Sequence, residues 1–374
     1  MIKAGRELGL TFVPFPEGGG RIPERTLLYM RNTHLRIFEL GGPRTPYRLR
    51  PEESRNPDDL SRLLSETYSN YNGTNPNVEL FTATTIDGVP LYLQSYTDVI
   101  QKTGISLEAR RYIKDNNLFQ SGFGPEQCLE NFPNARRGFE NIPIQTGLPP
   151  FVTVPTGMNS FPAEFMRQFL LSNPISNPQF LSALDSVLDV QSSKIFLIYN
   201  YPWWLGGSHN FTFTHSDLPY RQSYNWGISR TGKAVLLISY TDTHDVPFWS
   251  RLQNTGNIIS KRYDETRVTD EVVKQAHLQL SRVYNRHVNS IPDPIDGMMF
   301  VWNKYPYNGG WVGWKPGSRW YDIKRYLTRP FLQENIYINH GYWGAEHNGW
   351  GESSLEAADD VLSFFNIPSY LQTN

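Results

Sequence analysis

The sequence predicts a mixed α/β fold of the α+β kind, and three observations carry that expectation. Two apolar runs, Lys194–Tyr199 (KIFLIY) and Ala234–Tyr240 (AVLLISY), read as buried strands. Two longer stretches, Thr269–Tyr284 and Glu352–Phe365, repeat apolar residues at helical spacing. Gly (29) and Pro (27) are frequent among the 374 residues, so short elements and many loops are expected.

Taken in order, Arg6–Leu10 reads as a helix end that runs into a short strand, Thr11–Pro14. A glycine turn, Gly18–Gly20, precedes a strand at Thr26–Arg31. Asn56-Pro57-Asp58-Asp59 is a helix-start signal, and Leu60, Leu63, Leu64 and Tyr68 follow at helical spacing. Tyr96–Thr103 and Ser106–Asp115 are short helices, and Asn131–Pro150 is irregular. In Val154–Phe169, Ser160 caps and Pro162 opens a helix with Phe165, Met166 and Phe169 on one face. The two Asn-Pro pairs of residues 172–180 prevent a continuous element. In Thr269–Tyr284 the residues Val272, Ala276, Leu280 and Val283 share a face; Met298–Trp302 and Asn335–Asn339 read as strands. The closing helix, Glu352–Phe365, turns Leu355, Ala358, Val361, Leu362 and Phe365 toward the core.

Composition excludes several classes. Lys+Arg (35) balances Asp+Glu (36), so no electrostatic argument points to nucleic acid or an anionic membrane. No apolar run approaches the ~20 residues of a membrane-spanning helix. The single cysteine, Cys128, rules out an internal disulfide and a cysteine-built zinc site. The eight histidines do not fall at metal-ligand spacing. The first residues hold no apolar signal-peptide core, so an extracellular location is expected only if a longer parent chain carries one. No GxGxxG, P-loop, HExxH or GxSxG occurs. Aromatics reach 14%, which suits a pocket for a flat ligand, an aromatic core or a sugar-binding surface.

The C-terminal block is the most specific signal. Trp302 to Gly317 is rich in Trp and Gly; Asn339-His340-Gly341-Tyr342 and Gly349-Trp350-Gly351-Glu352-Ser353-Ser354-Leu355-Glu356 lead into the last helix. Glycines let backbone approach a planar ligand, and a helix N-terminus presents free N–H groups and a positive dipole end. The same residues also read as a capped, aromatic-packed helix. This block resembles the C-terminal flavin motif of FAD-dependent amine oxidases, in particular the L-amino acid oxidases of the escapin, achacin and aplysianin group. Lys194–Tyr199 with Pro202-Trp203-Trp204 resembles that family's lysine strand. Asp217–Tyr224, Lys233–Asp242 and Val154–Pro162 resemble further segments in the same order.

The resemblance implies a two-domain flavin amine oxidase fold in truncated form. Residues 1–150 would be a helical part of the substrate domain, 151–180 a remnant of the FAD-binding domain carrying a deletion, 181–300 the mixed-sheet substrate domain, and 301–374 the flavin-contacting segment. The nucleotide-binding βαβ unit of the family has no counterpart here, and a second gap falls between Phe169 and about Phe180.

The implied activity is oxidation of an L-amino acid or other primary amine by O2 to keto acid, ammonia and hydrogen peroxide. Lys194 would be catalytic, holding a water beside the flavin. Trp311, Gly341, Glu352 and Ser353 would contact FAD; Val312, Gly349, Trp350 and Tyr224 would line the substrate site. The plainer readings are a strand-end surface lysine for Lys194 and a helix-start carboxylate for Glu352. No metal is implied, and a homodimer stays open. Two alternatives stand beside the oxidase: an inactive truncated homologue that serves as a binding or defence protein, and an aromatic-rich glycan-binding protein.

Overall fold

The computed structural model describes residues 13–14, 23–68, 70, 84–119, 152–153, 177–206, 209–304, 309–333, 335–340 and 351–369. Its centre is a seven-stranded sheet in the order β12-β6-β11-β10-β9-β2-β3. The strands are β2 (Thr26–Met30), β3 (Thr33–Leu35), β6 (Ser192–Tyr199), β9 (Phe213–Ser216), β10 (Gln222–Ile228), β11 (Ala234–Asp242) and β12 (Asp296–Val301). Every neighbouring pair is antiparallel except β2 with β9, which run parallel. The sheet is therefore mixed, as expected, and an early segment of the chain completes it.

Alternation on β6 separates two faces. Ser193, Ile195, Leu197 and Tyr199 are fully buried, while Lys194, Phe196 and Ile198 are half-buried on the opposite side. The buried face packs against α5 (Val246–Leu252) and α6 (Asp270–Val283). Helix α6 forms because Thr269 caps it, its hydroxyl accepting from the Val272 N–H, and because Val272, Ala276, Leu280 and Val283 recur on one stripe. All four are buried, as their spacing predicted.

A second cluster joins α1 (Pro57–Tyr68), α2 (Tyr96–Lys102) and α3 (Leu107–Asn116) through Leu60, Leu64, Val99, Ile100, Tyr112 and Ile113. A third joins α4 (Pro178–Asp185), α7 (Trp320–Thr328) and α8 (Gly351–Ser363) with β13 (Trp311–Trp314), which pairs with β5 (Val187–Val190). The two-stranded pairs β1 (Val13–Pro14) with β4 (Val152–Thr153), and β7 (Leu205–Gly206) with β8 (His209–Asn210), complete the described elements.

Several expectations are corrected. Leu63 is 40% exposed, so the apolar face of α1 is narrower than its spacing implied. Asn177-Pro178 opens α4 rather than breaking the chain: the Asn177 side-chain oxygen accepts from the N–H groups of Gln179 and Phe180, and Pro at the first turn loses no needed hydrogen bond. Residues 335–339 form no strand and make one isolated bridge, Phe331 with Ile336. In α8 it is Ala357 that is buried, whereas Phe365 is 53% exposed. Arg6–Leu10, Gly18–Gly20, Cys128, residues 131–150 and 154–169 lie outside the described residues. Among the described residues no helix is long and apolar enough to cross a membrane.

Candidate active site

Lys194 stands on the sheet face away from the helices. Its neighbours across the ladder are Tyr240 on β11 and Phe300 on β12. Plain alternation would not put Tyr240 there. Leu236 and Ile238 point into the core, so the next even position should follow them. The β6–β11 register slips between Leu237 and Ser239, however, and the extra residue reverses the phase. Tyr240 consequently faces Lys194, whose Nζ lies 4.4 Å from the Tyr240 ring centroid. An ammonium over a phenol face is favourable by about 0.5–2 kcal/mol, increasing with desolvation.

Two further rings close the group. Trp311 on β13 lies 5.8 Å from Tyr240, centroid to centroid. Phe119, just beyond the C-terminus of α3, is edge-on to both, at 5.2 Å from Tyr240 and 5.4 Å from Trp311. Such tilted and edge-to-face pairs suit the ring quadrupoles. Burial in this aromatic setting lowers the Lys194 pKa from the usual lysine value, because desolvation disfavours the ammonium. One donor in this cluster, the buried Trp311 Nε1, lacks a hydrogen-bond partner among the described residues.

Of the other expected residues, Val312 follows Trp311 on β13 and pairs with Asp189. Tyr224 lies on the Lys194 side of the sheet, in register with Leu237, and its ring packs tilted against Phe213 at 4.7 Å. Its hydroxyl donates to Gln222 Oε1 at 2.7 Å, so that proton is already engaged. Glu352 and Ser353 fall in the first turn of α8. Gly341, Gly349 and Trp350 lie outside the described residues.

The structure thus brings Lys194, Trp311 and Val312 to one region, with Tyr224 on the same side of the sheet. Sequence reasoning gave no role to Tyr240 or Phe119. Tyr240 sits at the end of a recognised strand, but its face depends on a register slip that no local pattern announces. Among the described residues no three His, Cys, Asp or Glu side chains gather as a metal site.

This fold is that of the flavin amine oxidases. Cyclohexylamine oxidase from Brevibacterium oxydans superposes with a TM-score of 0.61 at 14% identity, covering 98% of this chain and 85% of that one. Two variants of putrescine oxidase redesigned in cofactor binding give 0.59 at 11% identity (97% and 85% covered) and 0.61 at 12% (98% and 84%). Among curated proteins, the chain is 24% identical to aplysianin-A of Aplysia kurodai over 96% of its length and 77% of that protein. It is 23% identical to achacin of Lissachatina fulica over 96% of its length and 79% of that protein. The resemblance read from the C-terminal block thus extends to nearly the whole chain. Both aligned stretches, of 437 and 432 positions, exceed the 374 residues of the chain, so each relative carries internal segments that this chain lacks. No family model matches the chain.

Proposed function

We propose that the chain carries out FAD-dependent oxidative deamination of a primary amine, most specifically an L-amino acid. The single observation that carries the reading is the half-buried Lys194 amine set over the Tyr240 ring, with Trp311 and Phe119 packed against that ring, on the open side of an amine-oxidase sheet. The overall reaction converts the amino acid, O2 and water to a keto acid, ammonium and hydrogen peroxide.

The site's donors suit a flavin ring. Trp311 Nε1 is buried without a hydrogen-bond partner among the described residues, Lys194 Nζ is a second donor beside it, and a flavin edge offers carbonyl and ring-nitrogen acceptors. Trp311, Gly341, Glu352, Ser353 and the first N–H groups of α8 are the residues we assign to holding it. When bound, FAD supplies the two-electron acceptor that amine oxidation requires and passes those electrons to O2. The chain's own work is orientation and proton handling. Lys194, with its depressed pKa, holds the water that hydrolyses the product imine and moves a proton at Nζ. Val312 and Tyr224 are the described residues we assign to the substrate side, Trp350 and Gly349 are assigned there by the family resemblance alone, and the rings around Lys194 exclude bulk water.

The internal segments present in both relatives favour a second reading, a flavin-free descendant that acts as a binding or defence protein. One experiment separates the two. Purified chain is mixed with FAD, desalted, and scanned for flavin bands at about 380 and 450 nm; peroxide release is then measured with L-Lys, L-Leu and L-Phe. Retained flavin with peroxide supports the oxidase. Loss of flavin on desalting, with no peroxide, sinks it and leaves the binding protein.

A further inference from the structure

Three side chains at the β9–β10 turn address the carbonyls of Asp115, Asn117 and Leu118 at the end of α3. Arg221 Nη2 donates to the carbonyl oxygens of Asp115 (3.3 Å) and Asn117 (2.8 Å). Gln222 Nε2 donates to Leu118 O at 2.7 Å, and His215 Nε2 lies 3.0 Å from Asp115 O. All three residues are nearly or wholly buried. The last carbonyls of a helix have no partner within it, and a cation there also complements the dipole. The next residue in the chain is Phe119, whose ring abuts both Tyr240 and Trp311. Arg221 is itself held at φ 53, a backbone region that a bulky side chain enters only under constraint.

We infer that Arg221 is a positioning residue for Lys194: with Gln222 and His215 it clamps residues 115–118 so that Phe119 closes the aromatic wall around the lysine amine. This rests on the oxidase reading for the role of Lys194, but the clamp itself requires no flavin. Arg221 makes no contact with Lys194; its backbone bridges to Tyr240, and its side chain reaches the site through the carbonyls of Asp115 and Asn117 and then the Phe119 ring. The groups on the elements around Lys194 are Tyr240 from β11, Phe300 from β12 and Trp311 from β13. Buried Asp242 is the charged residue further along β11, opposite Ser192. No ion pair joins a carboxylate to Lys194 among the described residues, so solvent exclusion by the rings governs its protonation.

The test is site-resolved acylation of the full chain between pH 6 and 11, with mass spectrometry reporting the midpoint at Lys194 and, as an internal reference, at exposed Lys274. In the wild type the Lys194 midpoint lies below that of Lys274. In Phe119→Ala and in Arg221→Lys it rises toward Lys274 by about one pH unit, a tenfold change in neutral amine, while Phe119→Tyr keeps the wild-type value. A folded Phe119→Ala or Arg221→Lys protein with an unshifted midpoint overturns the inference. If Arg221→Lys loses its cooperative thermal transition, Gln222→Met, which removes the Leu118 contact and the acceptor of the Tyr224 hydroxyl, takes its place, and an unshifted midpoint there is equally fatal. A shifted midpoint in a chain that retains no flavin would uphold the clamp while the oxidase reading falls.

Discussion

His277 on α6 should make the sheet acid-sensitive by a calculable amount. Its side chain is 6% exposed and faces Tyr199 of β6, whose hydroxyl lies 3.0 Å from His277 Nε2. The neutral imidazole satisfies this contact in either tautomer, as acceptor from the phenol O–H or as donor to its oxygen. Desolvation is the main cause of a pKa pushed down to about 4 from the ordinary 6.5, with Asp293 opposing it weakly. The folded pKa is depressed, so the unfolded chain binds the proton more tightly. The stability from this group is complete above pH 6.5 and is lost as pH falls toward 4. The interval corresponds to about 3 kcal/mol, a large share of the ~5–15 kcal/mol that holds a typical domain together. Urea unfolding at steps from pH 7.5 to 4 measures it, with His277→Gln as the partner series. The wild type should lose about 3 kcal/mol more than the variant across that window. Parallel losses in the two proteins would refute the argument, since they would assign the acid sensitivity to other groups.

Two other outcomes follow from the same structure. Lys194→Met keeps an aliphatic stem among the rings and removes the amine; amino acid-dependent peroxide release should fall by about 10²–10⁴-fold without a lower melting temperature, and a fall in both together would mean that the lysine is structural. Leu280→Ala opens a cavity where α6 meets the sheet; it should cost about 2–5 kcal/mol in denaturant unfolding, and a loss below 1 kcal/mol would show that α6 does not close that core.

The pattern-based reading succeeded where structure is periodic and local. The α6 stripe, the two central strands and the helices that begin after Ser106 and Thr269 follow from side chains within one turn or one strand of each other. It failed where a neighbour outside the window decides. Leu63 is exposed because the cluster that meets α1 accepts Leu60 and Leu64 and leaves the flank open. Residues 335–339 have no long partner strand, so their alternating apolar pattern finds a single bridge.

For the site, sequence by itself determined the lysine strand, the Trp311–Trp314 segment and the resemblance of the C-terminal block, because residue identity and order along the chain carry those. Tertiary structure alone decided that Tyr240 faces Lys194, that Phe119 joins it, and that Arg221 and Gln222 fasten the segment bearing Phe119. A one-residue slip between two strands reverses every later side chain, and a clamp on backbone carbonyls is indifferent to the side chains it holds. Both are set by register between distant segments, which the periodicity of either segment does not encode.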